Sequence, residues 1–355
     1  MNIQELLELT ITREASDLHL IDASPPTLRI QGTLVTLVTY PLLFGEEIEQ
    51  MIFSLLNSTQ KEVLLTNREI DFSTNLKISD DKLFRFRVNA YFQKGHMSAA
   101  LRLIPDKIKT VDELSLPPLL NEFVKFRQGF ILLTGGSGQG KSTTLASIIN
   151  EINKTRKAHI VTIEDPIEYT YPKGKAIISQ REMYQDTHSW RNALRSALRE
   201  DPDVVYIGEM RDYDTISSAL TIAETGHLVF STLHTNSAAQ TIDRIIDTFP
   251  ATSKDQIRMQ LSMVISGIVS QRLIPTIRGD RIPVCEILIG TPSIKNIIRE
   301  GKIHLIDNII QTSKDEGMML FEDHLKELVN QGIVAHETAL EYALRPDRYM
   351  QLLKG

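Results

Sequence analysis

Residues 132–145 read LLTGGSGQGKSTTL, an apolar run followed by spaced glycines, one lysine and adjacent hydroxyls. The segment GGSGQGKS at 135–142 satisfies G-x-x-x-x-G-K-[ST], the pattern of a loop that binds nucleotide phosphates. Gly135, Gly136, Gly138 and Gly140, with Ser137 and Gln139 between them, let successive backbone N–H groups turn inward around phosphate oxygens. A side chain at the glycine positions would collide there. Lys141 offers a point charge for β- and γ-phosphates, and Ser142, followed by Thr143, a hydroxyl for Mg²⁺. The helix that starts here adds its positive end. The expected cofactors are therefore a nucleotide and Mg²⁺.

Acids come next. In VTIEDPIEY, residues 161–169, a strand delivers Glu164, Asp165 and Glu168 just past its carboxyl end, where α/β sheets place their ligands. Pro166 keeps Asp165 out of helical geometry. Carboxylates beside a phosphate loop repel the nucleotide unless they hold metal or water, so a water-activating role follows. In DPDVVYIGEMRD, residues 201–212, Glu209 fills the position where such enzymes anchor Mg²⁺ or the attacking water. Arg211 fits either a phosphate contact or a salt bridge.

The segment ETGHLVFSTLHTNSA, residues 224–238, sets His227 and His234 at opposite ends of one strand. Seven extended residues span roughly 23 Å, too far to share a metal. A lone histidine is commonly a hydrogen-bonded structural residue, but STLHTN after a strand also resembles a γ-phosphate sensor. Base-reading N-K-x-D is absent, since NKTR at 153–156 lacks the acid, and the kinase motifs H-R-D and D-F-G are absent too. ATP is the expected nucleotide, with hydrolysis as the reaction.

The elements that must position these groups alternate strand and helix from residue 129 to 233, which predicts a parallel sheet with helices on both faces. Beyond residue 250 the pattern is mostly helical, interrupted by a hairpin of QRLIP and PVCEILI. A smaller α/β domain precedes the loop. It has an opening amphipathic helix (IQELLELTI) and strands DLHLI, PTLRIQG and TLVTLV, with a turn at Gln31-Gly32. Its clearest strand is FRFRVNAYF, where Phe84, Phe86, Val88, Ala90 and Phe92 alternate with Arg85, Arg87, Asn89 and Tyr91. A turn at Lys94-Gly95 leads to SAALRLIP, which carries Arg102. Pattern alone reads these arginines as a solvated sheet face. Pro105, Pro117 and Pro118 punctuate the polar stretch between, so the expected domains are 1–112 and 113–355.

The 355 residues, 42% apolar and 24% charged, suit two soluble domains. A net charge of −6 argues against a dedicated nucleic-acid binder. The single cysteine excludes a disulfide framework within the chain and a tetracysteine zinc site. No apolar run approaches a membrane span, and the opening MNIQELLELT lacks a signal-peptide pattern. A cytoplasmic location is expected.

Taken together, GGSGQGKST, TIEDPIEY, LREDPDVVYIGEMRD and TGHLVFSTLHTNSAAQTIDRIID resemble the Walker A, Asp box, Walker B and His box of the type II/IV secretion ATPase superfamily. EASDLHL, FRVNAYFQKG and ALRLIP resemble that family's N-terminal PAS-like domain, so the likeness covers nearly the whole chain. Within the superfamily the pattern is most similar to the type IV pilus retraction ATPases. The chain is short, it lacks the zinc module, and GTPSIKNIIREGK at 290–302 resembles their A-I-R-N-L-I-R-E helix. The resemblance implies a RecA-like ATPase domain after the PAS-like one. It further implies a homohexamer with ATP between subunits, working with pilus machinery on a platform protein at the cytoplasmic face of the inner membrane and not directly on nucleic acid. Lys141 and Ser142 would bind phosphate and Mg²⁺, and Glu209 would be the Walker B acid. Glu168, with Glu164, would activate water, His227 and His234 would form the His box, and Arg87 and Arg102 would reach the nucleotide. Arg195 and Arg199 are further candidates. Gly136, Ser137 and Gln139 replace the family's usual Pro, Thr and Ser, and Lys295 replaces an arginine. The alternatives are a type IVB secretion ATPase and, from another class, a RecA-like nucleic-acid translocase.

Overall fold

The alternation of FRFRVNAYF is realised in the strand Lys82–Gln93. Phe86, Val88 and Ala90 are fully buried, while Arg85, Arg87 and Asn89 lie on the opposite side. This strand belongs to the first of two units in the computed structural model, which describes residues 2–30, 32–79, 82–104 and 107–354. The first unit comprises Met1–Lys107 with Pro166–Thr170, the second Ile108–Asp165 with Tyr171–Gly355. The division precedes the boundary expected at residue 112 because Val111 is already buried with Leu116, Leu120 and Phe123 of the second unit. Gln31 and Pro105, to which the sequence reading gave a turn and a boundary signal, lie outside the described residues.

In the first unit, α1 (Ile3–Thr12) starts from a capping box of Asn2 and Glu5 and buries Ile3, Leu6 and Leu7. It is followed by β1 (Asp17–Leu20), β2 (Thr27–Ile30), β3 (Thr33–Thr36), α2 (Gly45–Phe53), α3 (Ser58–Asn67), β4 (Glu69–Ser79), β5 (Lys82–Gln93) and β6 (His96–Ile104). Among the described residues the strands form one antiparallel sheet in the order β3-β2-β1-β6-β5-β4. Lys94 and Gly95 both take positive φ, the geometry of the two-residue hairpin that joins β5 to β6.

The second unit runs β7 (Gly129–Thr134), α4 (Lys141–Thr155), β8 (His159–Glu164), β9 (Ile177–Glu182), α5 (Trp190–Ala197), β10 (Val204–Ile207), α6 (Tyr213–Glu224), β11 (Leu228–Leu233), α7 (Ala238–Asp247) and α8 (Lys254–Val264). Then come β12 (Ile265–Pro275), β13 (Arg281–Ile289), α9 (Pro292–Glu300), α10 (Ile306–Thr312), α11 (Phe321–Asn330), α12 (His336–Tyr342) and α13 (Pro346–Lys354). The sheet order is β13-β12-β7-β11-β10-β8-β9, parallel throughout except that β13 runs antiparallel to β12. Both faces are covered, which explains the continuous apolar strands. Phe130 and Leu132 pack with α5 to α9, whereas Ile131 and Leu133 pack with α4 and Phe123.

The last helices cover the hairpin, with Phe321, Leu325 and Tyr349 packed on Ile274, Ile282 and Val284. Arg345 ties this region together through Glu286 (3.0 Å), Glu322 (3.1 Å) and Asp307 (2.8 Å). Glu286 and Glu322 are fully buried. Arg345→Ala strands these carboxylates and should destabilise the protein by about 3–5 kcal/mol, measured by chemical denaturation. A loss under about 1 kcal/mol, the range of a surface pair, would show that the cluster is not structural.

Candidate functional site

The phosphate loop leaves the sheet where β7 ends at Thr134 and re-enters structure at α4. Gly135, Gly138 and Gly140 all have positive φ, a region closed to most L-residues. A Cβ on Gly135 would sit 2.3 Å from the Gln271 carbonyl oxygen, and one on Gly140 would sit 2.9 Å from Gln271 Nε2. Glycine is therefore required for close approach as well as for backbone angle. Lys141 is buried, and its ammonium donates to the carbonyls of Gly135 and Gly136, both at 2.8 Å. Helix α4 starts from Gly140 without a side-chain cap, unlike α1, α3, α5, α6, α7 and α9. A lysine over a glycine cradle and an uncapped helix start fits a phosphate group.

The other side of the loop faces a cavity of about 600 Å³, lined among others by Gly140, Thr143, Thr144 and Arg278. Gln139 is tied to the neighbouring strand twice. Its Oε1 accepts from the Leu273 N–H at 2.6 Å, and its carbonyl accepts from Gln271 Nε2 at 2.7 Å. One of the three residues that depart from the usual loop is thus an anchor.

Glu209 lies just past β10, with Arg211 Nη2 at 2.9 Å and His234 Nε2 at 3.1 Å. Burial alone would raise its pKa. The hydrogen bond and charge of Arg211, helped by His234 and Lys141, outweigh burial and hold the carboxyl below its usual range. Strand β11 supports this loop: Ser231 Oγ donates to the Ile207 carbonyl, Thr232 Oγ1 to that of Gly208, and the Met210 N–H to the Thr232 carbonyl. Glu209, its loop and the His234 end of β11 are therefore one hydrogen-bonded body. Arg211 emerges as the salt-bridge partner of Glu209.

Glu164 closes β8, buried, and accepts from Thr162 Oγ1 at 2.6 Å and from Gln180 Nε2 at 3.3 Å. Glu168 belongs with Pro166–Thr170 to the first unit, where Arg87 Nη1 lies 3.6 Å away. Arg87 also forms a bidentate contact with Asp71, Nη2 donating to Oδ2 at 2.6 Å and Nε to Oδ1 at 3.2 Å. Arg102 stands directly across from Arg87 in the β5–β6 register, and its Nε donates to Asp17 Oδ1 at 2.8 Å. Burial opposes ionisation of Asp17, yet the hydrogen bonds from Arg102 and Ser16 lower its pKa. His227 does not join His234. Its Nδ1 lies 3.0 Å from the Ile222 carbonyl and 2.9 Å from Thr225 Oγ1, at the end of α6, so it serves that helix terminus. Arg195 and Arg199 are exposed on or just after α5.

Sequence reasoning passed over Gln271 and Glu286. Each is a polar residue inside an apolar strand (IVSQRL, VCEILI), a signal for a buried partner. Glu286 accepts from the Ala238 N–H at 2.8 Å, which links the His-box segment to Arg345. Lys295 has a local role: its ammonium donates to the Met263 carbonyl and caps the end of α8.

A glycine loop, a buried lysine and an acid past β10, all served by one parallel sheet, define a RecA-like P-loop ATPase domain behind a small α/β domain. The chain belongs to the type II/IV secretion system protein family, whose model matches residues 2–286. It is 43% identical to the type IV pilus retraction ATPase PilT of Pseudomonas aeruginosa over 98% of this chain and 100% of that protein. It is 45% identical to a twitching motility protein of Neisseria gonorrhoeae, over 88% of this chain and 83% of that one. Among solved structures it resembles the pilus retraction motor PilT with bound ADP, with a TM-score of 0.91 and 42% identity across 99% of both chains. A Legionella pneumophila ATPase, DotB, gives a TM-score of 0.78 at 29% identity, over 95% of this chain and 94% of that one.

The electrostatics at Glu209 give a direct test. Arg211→Ala removes the contributions that lower its pKa most and leaves burial opposed only by His234 and Lys141. Glu209 should then take up its proton at a higher pH than in wild type, followed by carboxyl ¹³C shifts in glutamate-labelled protein. An unchanged titration would show that Arg211 does not set this charge.

Proposed function

We propose that this chain is an ATP-driven motor that withdraws type IV pili, working as a homohexameric ring on a platform protein at the cytoplasmic face of the inner membrane. The observation that carries the reading is the phosphate loop and Glu209–His234 pair in a chain that aligns end to end with PilT. Support for the pilus reading comes from identity, 42% to the pilus retraction motor PilT against 29% to the ATPase DotB. Among the described residues no helix is long and apolar enough to cross a membrane.

In this mechanism Lys141 leaves the Gly135 and Gly136 carbonyls for the β- and γ-phosphates, and the loop N–H groups take up phosphate oxygens. Among the described residues no group of three or more His, Cys, Asp or Glu side chains could hold a metal alone. Ser142 and the nucleotide would together hold Mg²⁺, with Glu209 behind, where the ion would neutralise phosphate charge. Glu168, supported by Glu164, orients the attacking water, and His234 reports the change at Glu209 to β11 and α7. Arg87 and Arg102 reach phosphate only after giving up the acids of their own domain, Asp71 and Glu168 for the first and Asp17 for the second. That exchange would tie the pairing of these arginines to nucleotide state.

Two assays separate site from machine. Lys141→Ala should abolish nucleotide binding. Glu209→Gln and Glu168→Gln should keep ATP binding and lose hydrolysis by at least about a hundredfold. Normal turnover in both glutamate variants would refute the assignment of the acids. Stimulation of the ATPase by the platform protein's cytoplasmic domain, and none by DNA, is expected; stimulation by DNA alone would favour a nucleic-acid translocase.

A further inference from the structure

Beyond the residues that meet the nucleotide, β12 carries a group whose placement bears on the same site. Strand β7 ends at Thr134, paired with Ser270, and their hydroxyls lie 2.8 Å apart. Strand β12 continues past that point, so Gln271 is the first residue beyond the end of the β7 pairing. The phosphate loop peels away there, and Gln271 fills the space that Gly135 and Gly140 leave open.

Every polar atom of the Gln271 side chain is then used on the loop or the helix behind it. Its Nε2 donates to the Gln139 carbonyl at 2.7 Å, and its Oε1 accepts from Thr144 Oγ1 at 2.8 Å. Gln271 and Thr144 are both nearly inaccessible, at 2% and 1% exposure. Two residues further along β12, the Leu273 N–H donates to Gln139 Oε1 at 2.6 Å. Three hydrogen bonds thus join the loop and the first turn of α4 to one short piece of strand. The strand leads directly into the 276–280 turn, which lines the cavity beside Gly140 and is itself held by the Ile277 N–H on the Ile333 carbonyl.

We infer that Gln139 and Gln271 form a clamp that fixes the phosphate loop to β12 and sets how firmly the bound nucleotide, ADP above all, is retained. The inference rests on the nucleotide-site reading of the loop. Its physical basis is that GGSG at 135–138 lacks the proline that would stiffen it. The loop's shape must then come from outside, and the clamp supplies it. Both glutamines are positioning residues, acting through the loop that they hold.

The test uses the full-length chain and the fluorescent analogue mant-ADP. Gln139 is partly exposed, so Gln139→Met and Gln139→Ser should fold, with melting temperatures close to wild type. Each should release mant-ADP about five- to tenfold faster, the effect of one lost hydrogen bond on a bound state, and should move KM for ATP more than kcat. Methionine keeps the length of glutamine without its acceptor, so it should fail as serine does. The double variant Gln139→Met/Gln271→Met should cost less than the product of the single effects, because a loop freed at one point is already loose. Release within twofold of wild type in both Gln139 variants, or rescue by methionine, would overturn the clamp. A wild-type chain that did not bind mant-ADP would remove the nucleotide-site reading itself, and the clamp with it.

Discussion

A glycine loop has almost no shape of its own, and the one in this chain takes its shape from β12. The close approach of Gln271 to Gly135 and Gly140 is possible only because neither glycine carries a Cβ. The same approach places Gln271 within reach of Gln139 and Thr144. Everything downstream depends on it. The loop's position fixes where Lys141 stands, and the charge of Lys141 in turn contributes to keeping Glu209 ionised. The constraint is geometric first and electrostatic second.

From Glu209 the connections run outward along backbone. Ser231 and Thr232 hold the acid's loop to β11, and His234 meets the carboxylate. Four residues later the Ala238 N–H rests on buried Glu286, which Arg345 joins to Glu322 and Asp307. A change in charge at the phosphate end therefore has a continuous, tightly bonded route toward the C-terminal helices. In the first unit the arginines are arranged differently: Arg87 and Arg102 sit side by side on one sheet face, each already neutralised by an acid. A phosphate that reached these arginines would have to compete with those acids.

Much of this was written in local pattern. The parallel sheet could be read because both faces of its strands are apolar, and β5 because Phe86, Val88 and Ala90 alternate with polar residues. Helix α3 could not be read, since STQKEVLLTN fully buries only Leu64 and shows almost no periodicity. Strand β9 was missed for a similar reason: IISQRE lies at the sheet edge and is mostly half-exposed. At the site, the places of Lys141, Ser142 and Glu209 follow from spacing, because they are tied to a helix start and a strand end. Gln271 and Arg345 do not, because their partners lie more than a hundred residues away in the first case and on three separate elements in the second. His227 and His234 show the limit of motif reading. They flank one strand, but only His234 stands at the end that meets Glu209.

The most direct measurement of the central claim is the length of single labelled pili over time in living cells that produce this protein. With the chain removed, filaments should still grow but should no longer shorten, and restoring the wild-type chain should restore shortening. Filaments that shorten at normal speed without the chain would contradict the account.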